Sequence, residues 1–249
     1  MNQEWSWEPL SPSLSICVSR QHKFGTDAVL LSDFAQRCCG LSLPQTIACD
    51  LGTGCGIIPL LWYRHSANYP LKTWCVDIQP QAIAQLNATL ARFPIPGVQP
   101  VEADLKELEG RIPLHSCHLV TCNPPYKKQG AGILSEGEPA QTARHEIHCT
   151  IEDIAETARS LLREGGRFCL CQRPERLADV LEAMRKNRIE PKRLRFVQKN
   201  GSSPPWLFLA EGRLGGRPFL QIEAPLLMED EPGKPSREIE RIYTQSKAL

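Results

Sequence analysis

The chain carries almost no charge excess, has no Cys-x-x-Cys pair despite its 11 cysteines, and lacks both a repeat and a low-complexity tract. Each absence removes a class of protein. A formal net charge of +1 provides no overall field to gather a polyanion, so a nucleic-acid partner must be read from local features. An odd cysteine count without paired spacing argues against a disulfide scaffold, and structural zinc needs ligand spacings that do not occur here. His115 with His118 and His145 with His148 are pairs three apart without a third ligand nearby, which fits surface or loop positions and no metal. No apolar segment at the amino terminus suggests export or a membrane anchor, which points to a reducing cytoplasm. The cysteines, with Cys169 and Cys171 alternating along one expected strand and Cys38-Cys39 near a helix end, then read as small buried hydrophobes.

At 249 residues, with 41% apolar and 23% charged residues, the chain can bury one full core. The expectation is a single domain over 1–249, with an amino-terminal segment and helix over 1–40, a core sheet over 46–222 and a carboxyl-terminal segment over 223–249. Strand and helix patterns alternate. Thr150 with Asp153 forms a capping-box pattern that opens a helix through Leu161 and Leu162, and Gly165-Gly166 is expected to end it. A strand over Arg167 to Cys171 follows, then a helix from Pro174 to about Asn187. Two strands near Arg193 to Val197 and Trp206 to Ala210, joined by a Gly/Ser/Pro turn, come last.

The most specific motif is Asn123-Pro124-Pro125-Tyr126, which leaves the apolar run Leu119-Val120-Thr121-Cys122. In an open α/β sheet that loop lies at the carboxyl edge, where ligands bind. The two prolines stiffen it and remove two donors, so what remains points acceptors outward. The Asn123 amide oxygen and the Pro124 carbonyl can both accept from one planar NH2 group, and Tyr126 offers an aromatic face beside it. A conjugated amino nitrogen is a poor nucleophile. Two acceptors that draw its protons out of plane favour a tetrahedral nitrogen, the geometry needed to attack an electrophilic methyl. The same residues would also suit a proline-stiffened turn with an asparagine at its start.

Upstream, the strand Thr46-Ile47-Ala48-Cys49-Asp50-Leu51 runs into Gly52-Thr53-Gly54-Cys55-Gly56 before an apolar helix. Such a turn lets a ligand approach backbone amides, and nicotinamide and flavin proteins use a similar one. A second strand ends at Asp77, placed to accept both hydroxyls of a ribose, a spacing that fits dinucleotides and S-adenosylmethionine alike. A third ends at Asp104, placed to accept from an adenine amino group. Both acids would also serve as helix caps.

Taken with Phe24-Gly25-Thr26-Asp27-Ala28-Val29-Leu30-Leu31, these motifs resemble the class I methyltransferases that use S-adenosylmethionine. Within them the chain is most similar to a bacterial tRNA N6-adenine methyltransferase family, which modifies the adenine next to the anticodon of a valine tRNA. The resemblance runs over most of residues 20 to 245. It implies a Rossmann-like seven-stranded sheet with helices on both faces and a carboxyl-terminal antiparallel hairpin. It further implies that Asp50, Gly52 and Gly54 meet the methionine end of the cofactor, Asp77 its ribose and Asp104 its adenine. Thr26 and Asp27 would close over the cofactor, with Asn123 in contact with it too, while Asn123, Pro124 and Tyr126 hold and stack the target base. The chain departs from the common family pattern in its many cysteines and in Pro94-Ile95-Pro96-Gly97.

Lys127 and Lys128 beside the loop, Arg144 at the far end of the long polar segment after it, and Arg193 and Arg195 on one face of a basic strand are the candidate RNA contacts. Three other readings stay open. Protein-glutamine N5-methylation uses the same loop chemistry but implies a helical recognition domain, for which Met1 to Lys23 is too short. Adenine methylation of ribosomal RNA or DNA is a second, and an RNA-binding protein on a methyltransferase scaffold a third.

Overall fold

The computed structural model describes residues 5–20, 23–39, 45–64, 70–125 and 149–244. Five strands lie parallel: β3 (Ile47–Leu51), β4 (Lys72–Asp77), β5 (Val98–Glu102), β6 (Cys117–Cys122) and β7 (Leu162–Gln172). Their near-continuous apolar sequences suit strands buried on both faces. β9 (Pro205–Leu214) runs antiparallel between β7 and β8 (Ile189–Gln198). The spatial order β8-β9-β7-β6-β3-β4-β5 contains the seven expected strands. Two short strands, β10 (Gln221–Ile222) and β11 (Leu226–Leu227), pair parallel with β8 and extend the sheet to nine. The loop between β8 and β9 is tied by Asn200, whose Oδ1 accepts from Ser202 N at 3.1 Å and from the hydroxyls of Ser202 and Ser203 at 2.9 and 2.8 Å.

Helices cover both faces. On one, α1 (Thr26–Cys39), α2 (Ile57–Tyr63) and α3 (Pro80–Arg92) bury Phe34, Leu60, Trp62 and Leu86. On the other, α4 (Ile151–Leu161) and α5 (Leu177–Lys186) pack Ile154, Ala158, Ala183 and Met184 against Phe168 and Phe208. Polar contacts fix α1 on α2: the Trp62 indole donates to Ser32 O at 3.2 Å, and the Ser32 hydroxyl donates to Ile58 O at 3.1 Å. The Thr150–Asp153 capping box is formed, with Asp153 N donating to Thr150 Oγ1 at 3.2 Å and Thr150 N to Asp153 Oδ2 at 2.7 Å.

One boundary differs from the sequence reading. Gly165-Gly166 does not end α4, which stops at Leu161; the pair lies inside β7, where the register against β6 slips. Gly165 has φ +74°, and a Cβ on Gly166 would come within 2.9 Å of the Arg163 and Cys117 carbonyls. The glycines therefore make a bulge. Two elements were not foreseen: the hairpin β1 (Ser6–Ser11) and β2 (Leu14–Val18), anchored by Cys17 N donating to Thr89 Oγ1 at 2.9 Å, and the terminal helix α6 (Arg237–Thr244).

Candidate active site at the carboxyl edge of the sheet

Parallel pairing brings Asp50, Asp77 and Asn123 to one edge, because β3 lies between β4 and β6 and all three strands end there. The turn after β3 is shaped by three left-handed glycines: Gly52 at φ +68°, Gly54 at +57° and Gly56 at +86°. Their duties divide. Among the described residues a Cβ on Gly52 or Gly54 would meet nothing within 4 Å, whereas a Cβ on Gly56 would lie 2.6 Å from Leu86 Cδ1. The first two leave a bare backbone floor that a ligand can approach; the third lets α2 pack against α3.

Asp77 braces that turn. Its Oδ2 accepts from Gly54 N at 2.8 Å and its Oδ1 from Gln79 N at 2.9 Å, which fixes the carboxylate beside the glycine turn. Ile78, next along, is 47% exposed, an apolar side chain beside the acid that can support a flat ring. Asp104 accepts from Lys106 N at 2.9 Å in a turn; no helix starts there, so helix capping does not explain it.

Asp50 is 1% exposed. Its Oδ1 accepts from the Thr121 hydroxyl at 2.6 Å, while its Oδ2 and the neighbouring Thr53 Oγ1 have no well-formed hydrogen bond. Burial pushes this carboxyl up to about 7, and Asp77 adds to the rise; Thr121, and Thr53 by its nearness, pull the other way. A buried acid with an unsatisfied oxygen beside an open glycine floor fits a cationic ligand, which would restore its ionised form.

Asn123 is gripped from two sides. Its Nδ2 donates to Asp27 Oδ2 at 3.2 Å, and its Oδ1 accepts from the Cys171 thiol at 3.0 Å. Asp27 is at the start of α1, and its Oδ1 accepts from Ala28 N at 2.9 Å. A Cβ at position 25 would lie 2.5 Å from Asp27 Oδ1, so a larger residue there displaces that carboxylate. Thr26 accepts from the Tyr243 hydroxyl of α6 at 3.1 Å. Pro124 is buried, and the Pro125 carbonyl accepts from Gln172 Nε2 at 3.4 Å.

The fold recurs in solved structures named as methyltransferases. A predicted O-methyltransferase of Agrobacterium tumefaciens superposes with a TM-score of 0.68 at 19% identity, covering 90% of this chain and 98% of its own. The fold is that of the class I methyltransferases. TYW2 of M. jannaschii, solved with AdoMet, gives a TM-score of 0.56 at 11% identity over 86% of this chain and 87% of its own. Among sequence relatives, a tRNA1(Val) (adenine(37)-N6)-methyltransferase of Erwinia tasmaniensis is 31% identical over 149 residues, covering 59% of this chain and 57% of the relative. One of the same name from Photobacterium profundum is 24% identical over 188 residues, covering 75% of each. The chain thus spans a little over half the length of the Erwinia relative. No protein-family model matches it.

Within this fold, one of the candidate RNA contacts is corrected. Arg195 is 7% exposed and is spent on structure: its Nη1 and Nη2 donate to Glu238 at 2.8 and 2.7 Å, and its Nε to Ala224 O at 2.9 Å. Arg193 shares that face, with its guanidinium on Cys38 of α1 at 3.7 Å and Glu223 at 3.4 Å. The strand does put both arginines on one face, where Glu238 of α6 covers Arg195, while the Arg193 side chain beside Cys38 of α1 stays 39% exposed and remains a candidate. Tyr126, Lys127, Lys128 and Arg144 lie outside the described residues, as do His145 and His148. Nine of the ten described cysteines are buried, and burial pushes the Cys55 thiol up to about 12 and Cys117 to about 11, so they behave as hydrophobes. No helix among the described residues is long and apolar enough to cross a membrane.

Sequence reasoning missed Cys171, Gln172 and Tyr243 as neighbours of the site. Cys171 and Gln172 could have been found as the last residues of the strand adjacent to the Asn-Pro-Pro loop. Tyr243 had no signal, since its contact spans 217 residues.

Proposed function

We propose that this chain transfers a methyl group from S-adenosylmethionine to the exocyclic N6 of an adenine in tRNA. The observation that carries the reading is Asn123 held at the end of β6, beside a glycine floor and a buried acid that fit a cationic, ribose-bearing ligand. The names of the sequence relatives support the tRNA adenine in particular.

In this reading Asp50, Gly52 and Gly54 receive the methionine end of the cofactor, Asp77 its ribose and Asp104 its adenine, while Ile78 lies along the base. The cofactor supplies an electrophilic methyl on its sulfonium. Thr26 and Asp27 border the site from α1. The target adenine leaves its stack, and Tyr126 replaces part of the lost stacking. Asn123 Oδ1 and the Pro124 carbonyl accept from the amino group and hold its lone pair toward the methyl. Once the nitrogen has gained its methyl it is acidic, and its extra proton leaves to one of these carbonyls or to solvent without a dedicated base. For the polynucleotide, Lys127, Lys128, Arg144 and Arg193 remain candidates. Arg173 joins them: it follows Gln172 at the same edge, with its guanidinium 5.6 Å from the centre of the Trp206 ring. We place the work in the cytoplasm, where tRNA is the substrate.

The test is methyl transfer from labelled S-adenosylmethionine to total tRNA, ribosomal RNA, DNA and protein, with analysis of the labelled nucleoside or amino acid. Label in N6-methyladenosine from tRNA supports the reading. Label confined to protein moves the assignment to glutamine methylation, and RNA binding without transfer moves it to a binding protein.

A further inference from the structure

We propose that Asp27 and Cys171 are positioning residues that decide which end of the Asn123 amide faces the acceptor, an inference that rests on reading Asn123 as the acceptor for the target amino group. The two ends of a primary amide are nearly equal in size, so packing alone scarcely distinguishes them. Their chemistry is opposite: oxygen accepts, and nitrogen donates twice. Turned the wrong way, Asn123 would present N–H to an incoming amino group and repel it.

Asp27 opposes that flip, and Cys171 supports the orientation that results. Asp27 is a carboxylate, an acceptor only, and at 3.2 Å it admits only the nitrogen end. Cys171, 3.0 Å away on the other side, donates its thiol proton to the oxygen end. The two come from separate elements, the start of α1 and the end of β7, so neither contact follows from the other. Asp27 is itself held by Ala28 N at 2.9 Å and by the missing Cβ at Gly25. It is therefore a rigid reference for the amide, and this is a role apart from bordering the cofactor.

Asp27→Asn tests the idea with little change of shape. The asparagine Oδ1 keeps the Ala28 bond, which forces its NH2 against the Asn123 NH2, donor to donor. The expected result is a fall in kcat of about 10- to 100-fold, the range seen when an orienting partner of a functional side chain is lost, and larger than any weakening of cofactor Kd. Cys171→Ser, which keeps a donor, should hold kcat near wild type, whereas Cys171→Ala should lower it. Asp27→Asn combined with Asn123→Ala should be no slower than Asn123→Ala alone, because the two act through one group. A second readout needs no turnover. The Asn123 side-chain NH2 signals in a 15N spectrum, identified by their absence in Asn123→Ala, should shift in Asp27→Asn and stay in place in Cys171→Ser.

An unmoved Asn123 signal in Asp27→Asn would overturn the proposal. So would a loss confined to cofactor affinity with kcat intact, or strict additivity in the double variant. If the signal moves but wild-type protein methylates no RNA, the amide is oriented as described and the functional reading is what fails.

Discussion

Replacing Asp50 by asparagine should stabilise the ligand-free protein at alkaline pH. The carboxyl is fully buried and titrates near 7, against 3.8 in the open chain. A raised carboxyl pKa means that the folded state prefers the neutral acid. The ionisation penalty is therefore absent below about pH 4, grows between there and about pH 7, and is constant above that. Roughly three pH units correspond to about 4 kcal/mol. Asparagine keeps an oxygen for the Thr121 hydroxyl and carries no charge, so it escapes the penalty. For a chain of this size the gain translates to a melting temperature higher by roughly 10 °C at pH 8. At pH 5, where much of the wild-type penalty has gone, the advantage should shrink to less than half. The assay is thermal unfolding of both proteins at the two pH values, read by near-UV circular dichroism. A difference that does not depend on pH, or a variant less stable at pH 8, would refute the reasoning. The same argument requires that a cationic ligand drive a proton off Asp50 near neutral pH. Calorimetry in buffers of different ionisation enthalpy should detect that proton in wild type and miss it in Asp50→Asn, whose affinity for the ligand should also be weaker.

Asn123→Ala should leave S-adenosylmethionine binding in place and lower kcat by about 10²- to 10³-fold, the loss typical of one oriented transition-state hydrogen bond; stopped-time transfer assays and calorimetry separate the two. Gly56→Ala combines a left-handed backbone at φ +86° with a Cβ 2.6 Å from Leu86 Cδ1, and should destabilise by about 2–4 kcal/mol, read as a lower urea midpoint. Arg195→Ala, by removing the bidentate partner of Glu238, which keeps Arg241 at 3.5 Å, should destabilise by about 1–3 kcal/mol without changing the affinity for tRNA that the proposed function requires, read by filter binding. Because Arg195 holds Glu238 below the usual carboxylate range, this stabilisation is present above that range and is lost as pH falls through the lowered value, so the difference between Arg195→Ala and wild type should narrow in acid.

The parts of the molecule that were legible in the sequence are those in which local chemistry forces local geometry. Alternating glycines, an acid closing each apolar run, and the Thr150 capping box each constrain a few neighbouring residues, and the structure has them where that chemistry requires. The Gly165-Gly166 pair misled because the same conformational freedom serves a helix stop or a strand bulge. Only the pairing partner, β6, distinguishes them. Arg193 and Arg195 were correctly placed on one face, but sequence periodicity cannot say whether a face meets solvent or another element. Here Glu238 of α6 covers the Arg195 end of it. The grip on Asn123 was beyond reach for the same reason: Asp27 lies 96 positions away and Cys171 lies 48 away.

The hydrogen bond from Tyr243 to Thr26 ties the start of α1 to the last described helix. During synthesis, β3 to β7 can pair as soon as each is made, yet the start of α1, which the proposed function places at the rim of the site, gains this clasp only after residues 237–244 have left the ribosome. A nascent chain would thus acquire its sheet well before the rim of its binding site is secured, and any fusion or truncation near Tyr243 would be felt at the opposite end of the sequence.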